Sequence, residues 1–92
     1  VAHREEQRVL LRGLRALPIE MQLVIELFYW ENMSREEIAA VLSVETNTVK
    51  SRLQRAKDRL RELLPRLDPV TGSVTAADLE RWAESLRPPE AI

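Results

Sequence analysis

Residues 46–64 constrain the fold most, because they contain no Gly or Pro and repeat their apolar residues at helical spacing. With about 100° of rotation per residue, four of these residues fall within about 60° of one another. They are Val49, Leu53, Ala56 and Leu60. A narrow apolar stripe of this kind predicts a long helix with one buried face. We expect Pro65 to end the helix, because proline lacks the N–H that the next turn needs.

The side of this helix opposite the stripe carries polar and basic residues. These residues are Asn47, Lys50, Ser51, Gln54, Arg55 and Asp58. An ordinary solvent-exposed helix face would instead be expected to alternate Glu and Lys in i, i+4 pairs. Arg and Lys can donate to O6 and N7 of guanine, Gln can pair with adenine, and Ser can contact either base. We therefore predict a DNA base-reading face formed by Lys50, Ser51, Gln54 and Arg55.

Residues on the flanks of that face are candidates for contacts with DNA phosphates, which border a helix lying in the groove. They are Thr48, Arg52 and Lys57, with Asn47 and Arg59 as further candidate DNA contacts. Taken singly, each basic residue is more typical of an ordinary solvated surface, so the prediction depends on their joint arrangement. Asp58 would be repelled by phosphate and marks where the helix leaves the groove.

The positive charge of the chain is concentrated in the same segment, although the formal net charge is only -1. Residues 46–66 hold seven basic and two acidic residues, or +5. Residues 1–45 hold five basic and eight acidic residues, and residues 67–92 hold two and five, so each segment carries -3. A basic block between acidic segments favours a local binding surface for an anion.

Two helices are predicted at the start of the chain. Residues 4–17 repeat apolar residues at helical spacing and end before Pro18. Pro18 suits the first turn of a second helix at residues 19–30, which is apolar on several sides. Such a helix either lies at the centre of a small core or lends one side to a partner.

A third helix is predicted at about Arg35–Leu42. Asn32 suits a left-handed stop before it, and Ser34 with Glu37 forms a capping-box signature. A short polar break then separates it from the long helix, which is the spacing of a helix-turn-helix. An ordinary helical hairpin fits this spacing equally well.

Composition excludes several classes of function. There is no Cys and only one His, His3, so disulfides, thiolate metal sites and His clusters are excluded. No run approaches the roughly 18 apolar residues of a membrane helix, and no Gly-rich phosphate loop is present. We expect no enzyme activity, no cofactor, no small-molecule substrate and no membrane contact. Without a signal segment the protein should be cytoplasmic, and because the chain starts at Val1 we expect it to be part of a longer protein.

Three segments resemble region 4 of the sigma-70 family, specifically its extracytoplasmic-function (ECF) group of bacterial sigma factors. They are Leu17-Pro18, "SREEIAAVL" at residues 34–42 and "NTVKSRLQRAKDRLRELL" at residues 47–64. The resemblance implies an all-α, four-helix domain with a helix-turn-helix, occupying residues 1–65. It also implies binding to the minus-35 element of promoter DNA and docking on the beta flap of the RNA polymerase core. An anti-sigma factor is a further candidate partner.

The resemblance also assigns roles to individual positions. Base-facing positions of the family match Lys50, Ser51, Gln54 and Arg55, and backbone-facing positions match Thr48, Arg52 and Lys57. The chain departs from the common pattern in its turns, where Asn32 and Ser43 replace Gly and residues 45–47 replace Pro-Glu-Gly. Glu45 would lie near the phosphates and weaken or redirect binding.

Two alternative functions remain open. A sigma-like interaction domain would bind an anti-sigma factor without DNA. It need not keep Lys50, Ser51, Arg55 and Lys57 together, and this chain has all four. A LuxR-type response-regulator domain also ends in a helix-turn-helix, but its recognition helix usually lacks the arginine-rich continuation seen at residues 55–61.

Residues 66–92 are predicted to form a linker and a short extra helix that the resemblance does not explain. Thr75 and Asp78 give a second capping signature, and one helix face carries Leu79, Trp82, Ala83 and Leu86. We expect this helix either to cover exposed core or to regulate access by touching the basic helix or the polymerase-binding groove.

Overall fold

The long helix organises the domain, as its apolar stripe predicts. In the computed structural model, which describes residues 4–67 and 74–86, five helices and no strand are present. The helices are α1 at Arg4–Arg15, α2 at Ile19–Ile25 with a π-helical continuation at Glu26–Trp30, α3 at Arg35–Leu42, α4 at Thr46–Leu67 and α5 at Ala76–Leu86. The predicted all-α class is confirmed.

Helix α4 packs against α1, α2 and α3 along a single face. Its buried residues are those of the predicted stripe, with one addition a turn further on: Val49, Leu53, Ala56, Leu60 and Leu64. Each is at most 4 % exposed. Because one face is fully buried, the residues on the opposite face must point to solvent.

The prediction that Pro65 ends α4 is wrong, because the helix continues to Leu67. Proline removes one backbone hydrogen bond, but at this position the loss falls in the last turn, where few bonds depend on it. Leu64 is fully buried and Leu67 packs on the core, so burial on both sides of Pro65 favours the extra turn.

The second helix differs from its prediction in its last five residues, which form a π-helical turn. The wider turn is closed by a hydrogen bond of 3.1 Å from the Glu31 N–H to the Glu26 carbonyl. Asn32 follows with a φ of 56°, which confirms the left-handed stop. The π turn presents the consecutive aromatic residues Phe28, Tyr29 and Trp30 to the rest of the domain, since all three contribute to the core or pack on it.

The helix-turn-helix is formed by α3, a three-residue turn and α4. The predicted capping box is present: Ser34 Oγ accepts from the Glu37 N–H at 3.0 Å, and Glu37 Oε1 accepts from the Ser34 N–H at 2.8 Å. Ser43 ends α3 with a φ of 57°, and the Val44 N–H donates to the Ala39 carbonyl at 3.0 Å. This left-handed stop fixes the angle at which α4 leaves α3.

Helix α5 packs on the π turn, on α4 and on α1. Leu79 and Ala83 are buried, and Asp78 accepts hydrogen bonds from the N–H and the hydroxyl of Thr75 at the helix start. The covering role expected of this helix is thereby observed. The predicted linker at residues 68–73 and the side chain of Leu86 lie outside the described residues. Among the described residues, no helix is both long and apolar enough to cross a bilayer.

Candidate nucleic-acid interface

The predicted base-reading face lies on the solvent side of α4, immediately after the helix-turn-helix turn. The face consists of Lys50, Ser51, Gln54 and Arg55, and all four are exposed. Asn47, about one turn before them, is exposed as well. They occupy the first three turns of α4, opposite the stripe that begins at Val49. The structure therefore brings these donors together on one exposed helix surface.

The predicted phosphate-contacting residues fall into two groups. Thr48 and Arg52 are half-buried on one flank of α4, and Arg59 is exposed on the same side about two turns beyond Arg52. Lys57 is on the other flank, and its ammonium group lies against α5 and the π turn. The flank with Arg52 and Arg59 is thus open to solvent, whereas Lys57 on the other flank contacts Glu80 and Tyr29 within the domain.

Gln54 and Asp58 form a hydrogen bond on the exposed face, which the sequence-based roles did not include. Gln54 Nε2 donates to Asp58 Oδ1 at 3.1 Å, and the same oxygen accepts from the Arg61 guanidinium at 2.7 Å. The i, i+4 spacing of Gln54 and Asp58 is a sequence signal that could have revealed the pair. A bidentate contact to adenine uses Oε1 and one Nε2 hydrogen of Gln54, which leaves the other Nε2 hydrogen available to Asp58.

Lys57, Tyr29 and Glu80 form a polar cluster that joins α4, the π turn and α5. The Tyr29 hydroxyl donates to Glu80 Oε1 at 2.9 Å, and Lys57 Nζ lies 3.6 Å from the same oxygen. Lys57 Nζ is also 5.7 Å from the centre of the Tyr29 ring, within cation–π range. The spacing of 51 residues between Tyr29 and Glu80 explains why no local pattern predicts this cluster.

The cluster shifts the ionisation of its members. Burial raises the pKa of the Tyr29 phenol; Lys57 acts in the opposite direction and Glu80 in the same direction. The Tyr29 hydroxyl raises the pKa of Lys57 against its partial burial, and Glu80 adds to the rise. Both shifts favour the states that these side chains ordinarily have, a protonated Lys57 and a neutral Tyr29.

The described residues also form a groove between α1, the π turn and α5. It is an open groove of about 580 Å³, lined mainly by apolar side chains of α1, the π turn and α5 with two acids at its edge: Leu11, Leu14, Glu26, Leu27, Trp30, Glu31, Met33 and Trp82. Open apolar grooves of this kind are typical of surfaces that receive a protein partner. Trp82 shows that α5 supplies part of the lining.

Together, the three-residue turn, the buried stripe and the exposed polar face define a helix-turn-helix domain. A family model for sigma-70, region 4, matches residues 7–60, and the chain belongs to this family. The matched region includes all of α2 and α3 and most of α1 and α4, and α5 lies beyond it.

Curated relatives agree with this assignment. The chain is 37% identical over 78 residues to the RNA polymerase sigma-E factor of Streptomyces antibioticus, which covers 85% of this chain and 43% of that protein. The corresponding factor of Streptomyces coelicolor is 38% identical over 78 residues, with 85% and 44% covered. A "Probable RNA polymerase sigma factor RfaY" of Xanthomonas campestris is 35% identical over 65 residues, with 70% and 16% covered.

The chain therefore spans less than half the length of these relatives. A comparison with solved structures finds no significant match.

Proposed function

We propose that this chain is the promoter-recognition domain of an alternative, ECF-type RNA polymerase sigma factor. In this role α4 lies in the major groove of the minus-35 element, and the domain docks on the beta flap of the polymerase core. The names of the relatives support the setting in transcription initiation. The resemblance of residues 34–42 and 47–64 to the ECF group supports the assignment to that group and to recognition of the minus-35 element.

One observation carries the proposal: Lys50, Ser51, Gln54 and Arg55 are exposed together on the helix that follows the turn. An α-helix fits the major groove, where each base pair presents a distinct pattern of donors and acceptors. Lys50 and Arg55 supply donors for guanine, and Gln54 supplies a donor and an acceptor for adenine. Arg52 and Arg59 lie beside this face, where they would contact phosphates and set the register of the helix.

The experiment that tests DNA recognition is a selection of bound duplexes from a random pool by the 92-residue chain, repeated with the flap fragment of the polymerase present. We expect enrichment of one short sequence, and stronger enrichment with the flap fragment, because the isolated domain has few contacts. Recovery of random sequences under both conditions would contradict base reading.

The apolar groove is the proposed docking site for the flap. Leu27 lines it and is half-buried, so Leu27→Asp should weaken binding of the flap fragment by introducing a charge into the apolar contact. Val41→Asp is the matched control, because Val41 is 61% exposed on α3 and does not line the groove. Equal loss of flap binding in both variants would contradict this placement.

An interaction domain that binds only an anti-sigma factor is the second candidate, and the same groove is the observation that favours it. Such a domain would keep the groove and give no sequence enrichment in the selection. The LuxR-type alternative has no support from the family match, which is to region 4 of sigma-70.

A further inference from the structure

The cluster of Tyr29, Lys57 and Glu80 lies beside the proposed DNA surface and has no part in base reading. Glu80 Oε1 is 2.9 Å from the Tyr29 hydroxyl and 3.6 Å from Lys57 Nζ. The side chains of Lys57 and Glu80 are 31% and 41% exposed, so both are still in contact with solvent. An anion approaching this flank of α4 therefore reaches Lys57 and Glu80 together.

Glu80 is held in place by its helix and by Tyr29. Around it, α5 is anchored by the buried residues Leu79 and Ala83, and by the edge-to-face contact of Trp82 with Trp30. An ordinary surface ion pair gives little stabilisation, partly because two long side chains must be ordered to form it. Here the ordering of Glu80 is already achieved by α5 and the Tyr29 hydroxyl, so the carboxylate stays close to Lys57.

The position of Glu80 has a direct consequence for a phosphate at Lys57. Glu80 offsets the positive charge of the ammonium, and it repels a phosphate that comes within reach. Lys57 can contribute fully to the duplex only if it leaves Glu80, or if α5 moves away. The flank formed by Arg52 and Arg59 has no comparable carboxylate contact among the described ion pairs.

We propose that Glu80 is an internal competitor for DNA phosphate at Lys57, so that α5 limits the affinity of α4 for DNA while it is docked. This inference rests on the proposed function, because it assigns a regulatory contact to the same DNA surface. It also changes the role expected of Lys57 from the sequence. In the docked state Lys57 belongs to the α4–α5 contact, and it becomes a phosphate ligand when that contact is broken.

The test is a double-mutant cycle on the 92-residue chain, using a single duplex and titrating the salt concentration. Glu80→Gln removes the carboxylate charge and keeps an oxygen that can accept from Tyr29. We expect it to tighten DNA binding about fivefold at low salt, as for loss of one competing ion pair. The plot of log affinity against log salt should become steeper by about 0.9, the increment for one additional phosphate contact.

Lys57→Gln supplies the second side of the cycle. In the wild-type background it should change the affinity for DNA less than twofold, because Lys57 is already paired with Glu80. In the Glu80→Gln background it should remove the whole fivefold gain. Glu84→Gln is the matched control, since it removes the same charge from an exposed position one turn along α5. It should tighten binding much less than Glu80→Gln.

The outcomes separate this inference from the proposed function. Equal gains from Glu80→Gln and Glu84→Gln, or a gain that survives Lys57→Gln, would overturn the internal competition. If the wild-type chain binds the duplex and Glu80→Gln binds it equally well, the internal competition is overturned as well. DNA recognition by α4 then still stands. No binding by either protein would contradict the proposed function itself. Thermal unfolding of each variant verifies that α5 remains folded.

Discussion

The indole rings of Trp30 and Trp82 meet edge to face, with their centroids 5.6 Å apart and their planes at 89°. Trp30 belongs to the π turn and Trp82 to α5, so this contact joins the sigma region 4 core to the helix that lies beyond the matched region. The chain contains only these two tryptophans, and their fluorescence therefore reports directly on the docking of α5.

Trp82→Ala should lower the free energy of unfolding by about 2 kcal/mol, less than the roughly 3–5 kcal/mol for a fully buried tryptophan, because Trp82 is half-buried. The emission of Trp30 should move to longer wavelength as its ring gains contact with water. Trp82→Phe keeps an aromatic ring and should have a smaller effect on both. Unchanged Trp30 emission in Trp82→Ala would show that α5 does not cover the π turn.

Helices α1 and α4 cross closely at Gly13, where a Cβ atom would crowd Leu64 and Leu60. A Cβ atom at Gly13 would lie 2.7 Å from Cδ2 of Leu64 and 3.3 Å from Cδ2 of Leu60. Alanine is favoured over glycine in a helix by about 1 kcal/mol, but overpacking a core costs about 1–3 kcal/mol. Gly13→Ala should therefore lower the free energy of unfolding, by about 1 kcal/mol in chemical denaturation.

Leu64→Ala provides the background that isolates this steric effect. Once the Leu64 side chain is shortened, Gly13→Ala should no longer be destabilising and should recover part of the helix preference. A stabilising effect of Gly13→Ala in the wild-type chain would contradict the close packing of α1 on α4.

Acid should weaken the capping box of α3. The hydrogen bond from the Ser34 N–H, together with the Ser34 hydroxyl, lowers the pKa of Glu37 below its ordinary value of 4.5. A lowered pKa in the folded state means that the carboxylate contributes stability above pH 4.5 and loses it as the pH falls through the folded-state value. Glu37→Gln should therefore be less stable than wild type at pH 7 and equally stable at pH 2.

Chemical denaturation at the two pH values measures this difference. Glu36→Gln changes the same charge on the same turn outside the capping box, and it should leave the pH dependence close to that of wild type. A constant gap between wild type and Glu37→Gln from pH 7 to pH 2 would show that the ionised carboxylate is not what stabilises the helix start.

The helical framework was predictable because its signals are local. Val49, Leu53 and Ala56 mark the buried face of α4 by spacing alone, and Ser34 with Glu37 marks the start of α3 by cap chemistry. Both predictions are confirmed. The end of α4 was not predictable from Pro65, because burial of Leu64 and packing of Leu67 outweigh the loss of one backbone hydrogen bond in the last turn.

The environment of the candidate site was predictable only in part. The exposure of Lys50 and Arg55 follows from the phase of α4 and is observed, but their contacts with DNA stay a prediction. The π turn has no recognisable sequence signature, and it is the feature that places Tyr29 next to Glu80 and Lys57. A contact between residues 51 positions apart depends on how α5 packs, which no local pattern contains.

Base reading by the exposed face of α4 can be measured directly from the affinities for a selected duplex and for a random duplex. The proteins compared are wild type, Lys50→Ala and Arg52→Ala, each titrated with salt. Lys50→Ala should lose about 1–3 kcal/mol on the selected duplex and little on the random one, because a base contact is lost. Arg52→Ala should weaken both duplexes alike and flatten the salt slope by about one unit. Equal weakening of both duplexes by Lys50→Ala would contradict base reading by this face.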